Sequence, residues 1–167
     1  VFAVGQLGTI LHYDGTTWTS MISGTTDTLT GVWGCCASDV FAVGDTGTII
    51  HYNGSAWTLM SSGTSNHLYG VWGTSSTDVF AVGSGGTILH YNGSSWSPVS
   101  SGTGATLNGI WGDAHGNIFA VGSGGTIIHY QEQAPPSITS VRPSQGSYGG
   151  TLDVTITGNY LLGATEL

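Results

Sequence analysis

The 167-residue sequence predicts an all-β chain: a β-propeller of four-stranded antiparallel blades, about three and a half of them, followed by the start of a second β domain. Three observations predict it. The chain repeats itself every 39 residues, each repeat holds four short apolar runs divided by turn signals, and the composition is rich in Gly (29) and poor in charge (6%). A period of about 40–45 residues marks propeller blades or solenoid coils. A disordered chain would be charged and short of aromatics, whereas this one has six Trp and seven Tyr.

The repeats run 1–39, 40–78 and 79–117, with a partial fourth at 118–130. The run "LYGVWG" (68–73) comes first, then the turn-forming "TSSTD" and "VFAVG" (79–83). "TILHY" (87–91) follows, and Asn92-Gly93 leads into "SWSPVS" (95–100). Asn-Gly between apolar runs is a strong hairpin signal because both residues tolerate positive φ. Asp14-Gly15 and Asn53-Gly54 fill the same slot. The strands do not alternate apolar with polar, as expected of sheets covered on both faces, and blades stack in this way. A solenoid would lack the repeated hairpin, and the Gly, Thr, Ser and Val density excludes long helices. The innermost strands are predicted at 30–34, 69–73 and 108–112.

At Gln131 the repeat breaks. Residues 131–136, "QEQAPP", read as a linker, and 137–167 as a separate, incomplete domain. The chain opens mid-pattern on "VFAVG", so further blades are expected upstream of Val1 or from partner chains, and self-association is open to it.

The phrase "DVFAVG–x–x–GTI–x–HY–x–G–x–x–W" resembles the BNR-like or Asp-box-like repeats of bacterial propellers over residues 1–130, and it is similar at a distance to the repeats of photosystem II assembly-factor propellers. The hairpin "HYDGTTW" is one residue short of a full Asp-box, and its Asp becomes Asn53 and Asn92. In that family the box folds the turn. "ITSVRP", "GSYGG" and "TLDVTITGNYL" resemble the opening of an IPT/TIG immunoglobulin-like domain.

Composition restricts function. With a net charge of −8, no Lys and only Arg142 as a fixed base, the chain lacks the cations that neutralise phosphates or anionic lipid. No apolar run reaches the roughly 18 residues of a membrane span. Nucleic acid and direct membrane insertion are therefore excluded as partners. Cys35 and Cys36 are adjacent and offer no zinc spacing; they are a vicinal disulfide or unpaired small residues in a turn.

Enzymatic readings also fail. The resemblance to Asp-box sialidases implies three Arg, which are missing. Glycoside hydrolysis needs two convergent carboxylates; the propeller region has six Asp and no Glu, and Asp39 and Asp78, one period apart, read as turn formers. No nucleophile elbow is present. The expectation is a non-enzyme without cofactor or metal.

Two sets of residues recur. His12, His51, His90 and His129 stand 39 apart and read as structural, hydrogen-bonded to backbone or a neighbouring loop. Trp18, Trp57 and Trp96 form one Trp series, and Trp33, Trp72 and Trp111 another. An aromatic side chain of ~150–250 Å² is too large to leave exposed in every blade, so most are expected in the core. Binding should then fall on the loops that vary between repeats. The candidates are Asn66, His67 and Tyr69, and Asp113 with His115, on loops expected at opposite rims. The expected function is an extracellular or cell-surface module for adhesion, glycan or surface-protein binding, or scaffolding. The alternatives are an accessory propeller of a carbohydrate-active enzyme and a subunit of an extracellular polymer.

Overall fold

The computed structural model describes residues 1–113, 116–131, 137–142 and 155–159. Residues 1–131 and 132–167 form two compact units. In the first, the 39-residue period becomes a row of antiparallel sheets. β1 (Phe2–Val4), β2 (Ile10–Tyr13) and β3 (Trp18–Met21) form a three-stranded sheet. Two complete four-stranded sheets follow: β4 (Leu29–Cys36), β5 (Asp39–Gly44), β6 (Ile49–Tyr52) and β7 (Trp57–Met60), then β8 (Leu68–Ser75), β9 (Asp78–Gly83), β10 (Ile88–Tyr91) and β11 (Trp96–Val99). The fourth holds β12 (Leu107–Gly112), β13 (Asn117–Gly122) and β14 (Ile127–Gln131). The repeat at 131 is longer than expected by one residue: Gln131 still pairs with Asn117 instead of opening the linker.

Each four-stranded sheet is an up-and-down meander in chain order. The strands expected to be innermost are the first of each sheet, and they approach one another most closely. The Thr30 hydroxyl donates to the Leu68 carbonyl at 2.5 Å, tying β4 to β8. Between the second and third strands lies a single 3₁₀ turn, as at Asp45–Gly47, which ends on the Gly of the "GT" found in every copy. Gly47 has φ 75°, the left-handed region where a Cβ is unfavourable. Among the described residues these turns are the only helical pieces.

The core lies between sheets rather than inside any one of them. Phe41, Val43 and Ile49 on one face of the second sheet pack against Leu68, Val71, Val79, Ala81, Leu89 and Trp96 on the facing side of the third. One sheet further on, Phe80, Val82 and Ile88 meet Leu107, Ile118 and Ala120. Burying a large aliphatic or aromatic side chain is worth ~1.5–3 kcal/mol, so each sheet-to-sheet seam carries a large share of the stability. This explains why strands such as "DVFAVG" are apolar on both faces: each faces a neighbour on both sides.

The Trp series divide by this rule. Trp57 and Trp96 are buried, each set against a Phe of the preceding sheet. Trp33 leans on the following sheet, where an added Cβ on Gly73 would stand 2.9 Å from its ring, so only Gly fits there. Trp18 and Trp111 depart from the expected burial, at 51% and 60% exposed. Trp18 would pack on a preceding sheet and Trp111 on a following one, and no described sheet stands there.

The second unit contributes β15 (Ser137–Arg142) and β16 (Thr155–Asn159), an antiparallel pair with a register shift between Ile138 and Ser140. The expected "GSYGG" turn lies outside the described residues.

Candidate functional site

The antiparallel meander puts two kinds of loop at the two ends of the inner strands. One rim carries the loops entering β4 and β8, residues 61–67 among them, together with the 3₁₀ turns. The other carries the β4–β5 and β8–β9 turns and the Asx hairpins, as the approach of Gly54 to Ser38 shows.

On the first rim, Asn66, His67 and Tyr69 come together, and a fourth residue joins them. His67 Nδ1 lies 2.9 Å from Asp45 Oδ1 of the preceding sheet. The His67 and Tyr69 rings are near parallel, 20° apart, with centroids at 6.4 Å. The backbone is fixed from both sides: Ser84 donates its N–H to the His67 carbonyl at 2.9 Å, and Asn66 donates its own to the Thr64 hydroxyl at 3.1 Å. His67 and Asp45 keep 49% and 37% of their side-chain surface, so the pair is open to a partner.

Asn66 has a largely structural part. Its side-chain amide donates to the Thr87 hydroxyl at 2.8 Å. One period earlier Asp27 does the same work in reverse, accepting from the Thr48 hydroxyl at 2.5 Å and the Thr46 hydroxyl at 3.0 Å. These hydrogen bonds, Thr48 foremost, hold the Asp27 carboxyl below its usual range. Asp27, Thr46, Asp45 and His67 thus form a continuous polar path across two sheets. Beside it a groove of about 540 Å³ is lined by Asp27, Thr46, Thr48, Leu59 and the 61–65 loop.

On the opposite rim, Asp113 caps its own turn. It accepts from the Asn117 backbone N–H at 3.1 Å and from the Asn117 side-chain amide at 2.9 Å. His115, the other half of the Asp113–His115 candidate, lies outside the described residues. Cys35 and Cys36 on the same rim are free thiols with Sγ atoms 3.6 Å apart. Burial pushes the Cys35 thiol up, whereas the Ser38 hydroxyl draws the Cys36 thiol down.

Each periodic His stands in register with a Phe of the neighbouring strand: Phe2, Phe41, Phe80 and Phe119. His51 Nε2 lies 2.8 Å from Asp39 Oδ1, and His90 Nε2 lies 2.7 Å from Asp78 Oδ1. His129 meets Asn117 Oδ1 at 3.2 Å, and His12 lies on Phe2 with ring centroids 4.6 Å apart. Asp39 and Asp78 therefore hold a His besides forming turns; where the sequence left backbone or a neighbouring loop as the partner of His51 and His90, the structure has these carboxylates. Asp14 Oδ1 accepts from the backbone N–H of Thr16 and Thr17, both at 2.8 Å, and Asn53 and Asn92 repeat this geometry. Those contacts, with Thr17 first, hold the Asp14 carboxyl well below the carboxylate range. The Asx residues of the repeat fold hairpins.

Among the described residues no three His, Cys, Asp or Glu side chains gather closely enough to hold a metal ion. The ring of His67 has a carboxylate partner but no hydroxyl or thiol nucleophile hydrogen-bonded to it among the described residues. What the rim offers is recognition: a carboxylate acceptor, an imidazole and a phenol beside an open groove.

No protein-family description matches the sequence, and no curated protein does. Solved structures do match. One is "YCF48 bound to D1 peptide", with a TM-score of 0.58 at 17% identity, covering 76% of this chain and 43% of that one. Another is YCF48 from Cyanidioschyzon merolae, with a TM-score of 0.62 at 16% identity, covering 78% and 49%. This chain is a β-propeller of four-stranded blades. At such identity the likeness shows the fold alone, and the chain spans less than half the length of either solved structure.

Sequence reasoning missed Asp45. The signal was present: one and two periods on, its position holds Ser84 and Ser123, so Asp45 departs from the repeat as His67 does.

Proposed function

We propose that this chain is a non-enzymatic binding propeller that takes a polypeptide partner on the rim built by Asp45, His67 and Tyr69. The observation that carries the reading is the open His67–Asp45 pair beside the Tyr69 ring, bridging two sheets at one end of the inner strands. A structure of the same fold, YCF48, is bound to a peptide, which supports a polypeptide as the ligand class. The strand faces are buried between sheets and leave the rims for recognition. With one Arg in the whole chain, ion pairing to an acidic ligand contributes little, so binding of a neutral or acidic ligand should persist at high salt.

A second reading is favoured by the ring geometry. The near-parallel His67 and Tyr69 make a platform on which a sugar face can stack, in keeping with a glycan-binding surface module. The low charge, the Thr, Ser, Gly and Asn abundance and the immunoglobulin-like reading of residues 137–167 support an extracellular or cell-surface setting.

Selection from a displayed peptide library, run beside a glycan array, tests both. Peptides that lose affinity about tenfold with His67→Ala or Tyr69→Ala, at unchanged thermal midpoint, support the first reading. Glycan hits with the same dependence support the second. Ligands indifferent to both substitutions overturn the site.

A further inference from the structure

Cys35 and Cys36 end β4 beside the turn to β5, on the rim opposite His67, and both are exposed free thiols. A regular strand sends neighbouring side chains to opposite faces. Here the register slips between Gly34, which pairs with Val40, and Cys36, which pairs with Asp39, so Cys35 is the extra residue of a β-bulge. A bulge re-aims a side chain, and the two sulfurs come to lie 3.6 Å apart.

The turn itself does not call for sulfur. One period on, the same bulge carries Thr74 and Ser75. The Thr74 hydroxyl donates to the Asp78 carboxylate, and Ser75 Oγ accepts from the Thr77 backbone N–H at 3.3 Å. In the second sheet the thiols stand in these places, 3.9 Å from the Asp39 carbonyl oxygen and 3.6 Å from Ser38 Oγ, and a thiol is a weak hydrogen-bonding group. Two hydroxyls serve this turn at least as well, so the sulfurs add chemistry to it. Their spacing narrows which chemistry. Closing a disulfide would join residues whose Cα atoms are about 3.8 Å apart, short of the usual ~4.4–6.8 Å. A soft atom bonded to both sulfurs at about 2.3 Å spans about 3.7 Å when the angle is near tetrahedral and about 4.6 Å when it is linear. The free thiols already stand at the bent spacing. Among the described residues no third ligating side chain joins them, and Asp39 is engaged by His51. The bound species must therefore carry its own remaining substituent.

We propose that Cys35 and Cys36 form a dithiol site for a monosubstituted trivalent arsenical, a soft thiophile that needs two sulfurs and brings its own third bond. With an oxide of the form R–As=O the step balances without an oxidant. Two As–S bonds form, the two S–H protons leave with the oxide oxygen as water, and arsenic stays trivalent. The bulge holds both sulfurs at bridging distance before the ligand arrives, so binding orders less of the chain than it would in a flexible segment. The site lies away from Asp45, His67 and Tyr69 and does not rest on the polypeptide reading.

The test is titration of the whole, freshly reduced 167-residue chain with phenylarsine oxide, read by loss of free thiol and by intact mass, with affinity taken from competition against a small dithiol. One equivalent should consume both thiols. Cys35→Ser and Cys36→Ser should each weaken binding at least tenfold. The blocked peptide GCCASD, residues 34–39, carries the same thiols without the bulge and should bind at least fivefold more weakly than the chain. Thr74→Cys/Ser75→Cys puts a second pair on the matching bulge of the third sheet and should take up a second equivalent. Equal affinity of peptide and chain would overturn the proposal, as would a folded double variant that takes up only one equivalent. Thiols that stay free at about 1 mM reagent would overturn it too. So would a pair recovered as a disulfide that glutathione does not open, because self-closure would then be its chemistry.

Discussion

His90 lies flat on Phe80, with ring centroids 4.3 Å apart and planes 16° from parallel, while its Nε2 meets Asp78 at 2.7 Å. The two rings sit opposite each other on β10 and β9. The same arrangement recurs in Phe41, His51 and Asp39, one period earlier. Stacked aromatic pairs contribute ~0.5–1.5 kcal/mol beyond area burial, and a hydrogen bond to a charged group ~1.5–3 kcal/mol. His90→Ala should therefore cost about 1–3 kcal/mol by urea denaturation. A loss below about 0.5 kcal/mol would mean that the His is not part of the scaffold.

The seam rule separates Trp residues that the repeat makes equivalent. Trp57→Ala should cost ~3–5 kcal/mol, as truncation of a core aromatic does. Trp18→Ala, at a half-exposed site with no described sheet behind it, should cost less than about 1 kcal/mol in the same assay. Equal costs would show that the period, rather than the neighbouring sheet, sets the role of each Trp.

Leu7 holds φ 53° and is 80% exposed. The corresponding turns in the third and fourth sheets have Gly85 and Gly124 in this place. A left-handed L-residue costs roughly 1–2 kcal/mol, against ~0.4–1 kcal/mol of unfolded-chain entropy added by Gly. Leu7→Gly should raise stability by about 0.5–1 kcal/mol. A lower melting midpoint would contradict this.

Asp27 carries a pH signature. Its folded carboxyl titrates below the ordinary value of 3.8 because the Thr48 and Thr46 hydroxyls donate to the charged form. A depressed acid adds stability that is fully present above its unfolded pKa and is lost as pH falls through the folded one. Thermal midpoints of the wild type should therefore drop more steeply below about pH 4 than those of Asp27→Asn. Parallel curves would remove the strap from Asp27 to Thr48.

Much of the fold was legible because each repeat states its own strands. The "VWG" run, Asn-Gly and the "GT" glycine each carry a local geometric demand, which the period then multiplies. The strands expected at 30–34 and 69–73 are found within Leu29–Cys36 and Leu68–Ser75. The exposure of Trp18 and Trp111 was not legible, since it depends on which sheet stands beside each one. The partner of His51 was hidden for a similar reason: Asp39 reads locally as a turn residue, and the hairpin register brings it to the imidazole. Asn66, His67 and Tyr69 stood out by departing from the repeat, and Asp45 belongs with them although it lies 22 residues away from His67 in sequence.

The central claim is that recognition belongs to the rim and scaffolding to the repeated side chains. The most direct measurement is the affinity of a library-selected peptide for the wild type, for His67→Ala/Tyr69→Ala and for the surface control Trp18→Ala, with thermal midpoints recorded alongside. The account predicts at least a tenfold loss for the rim pair, no loss for the control, and a midpoint shift of no more than a few degrees. Undiminished binding by a folded His67→Ala/Tyr69→Ala chain would contradict it.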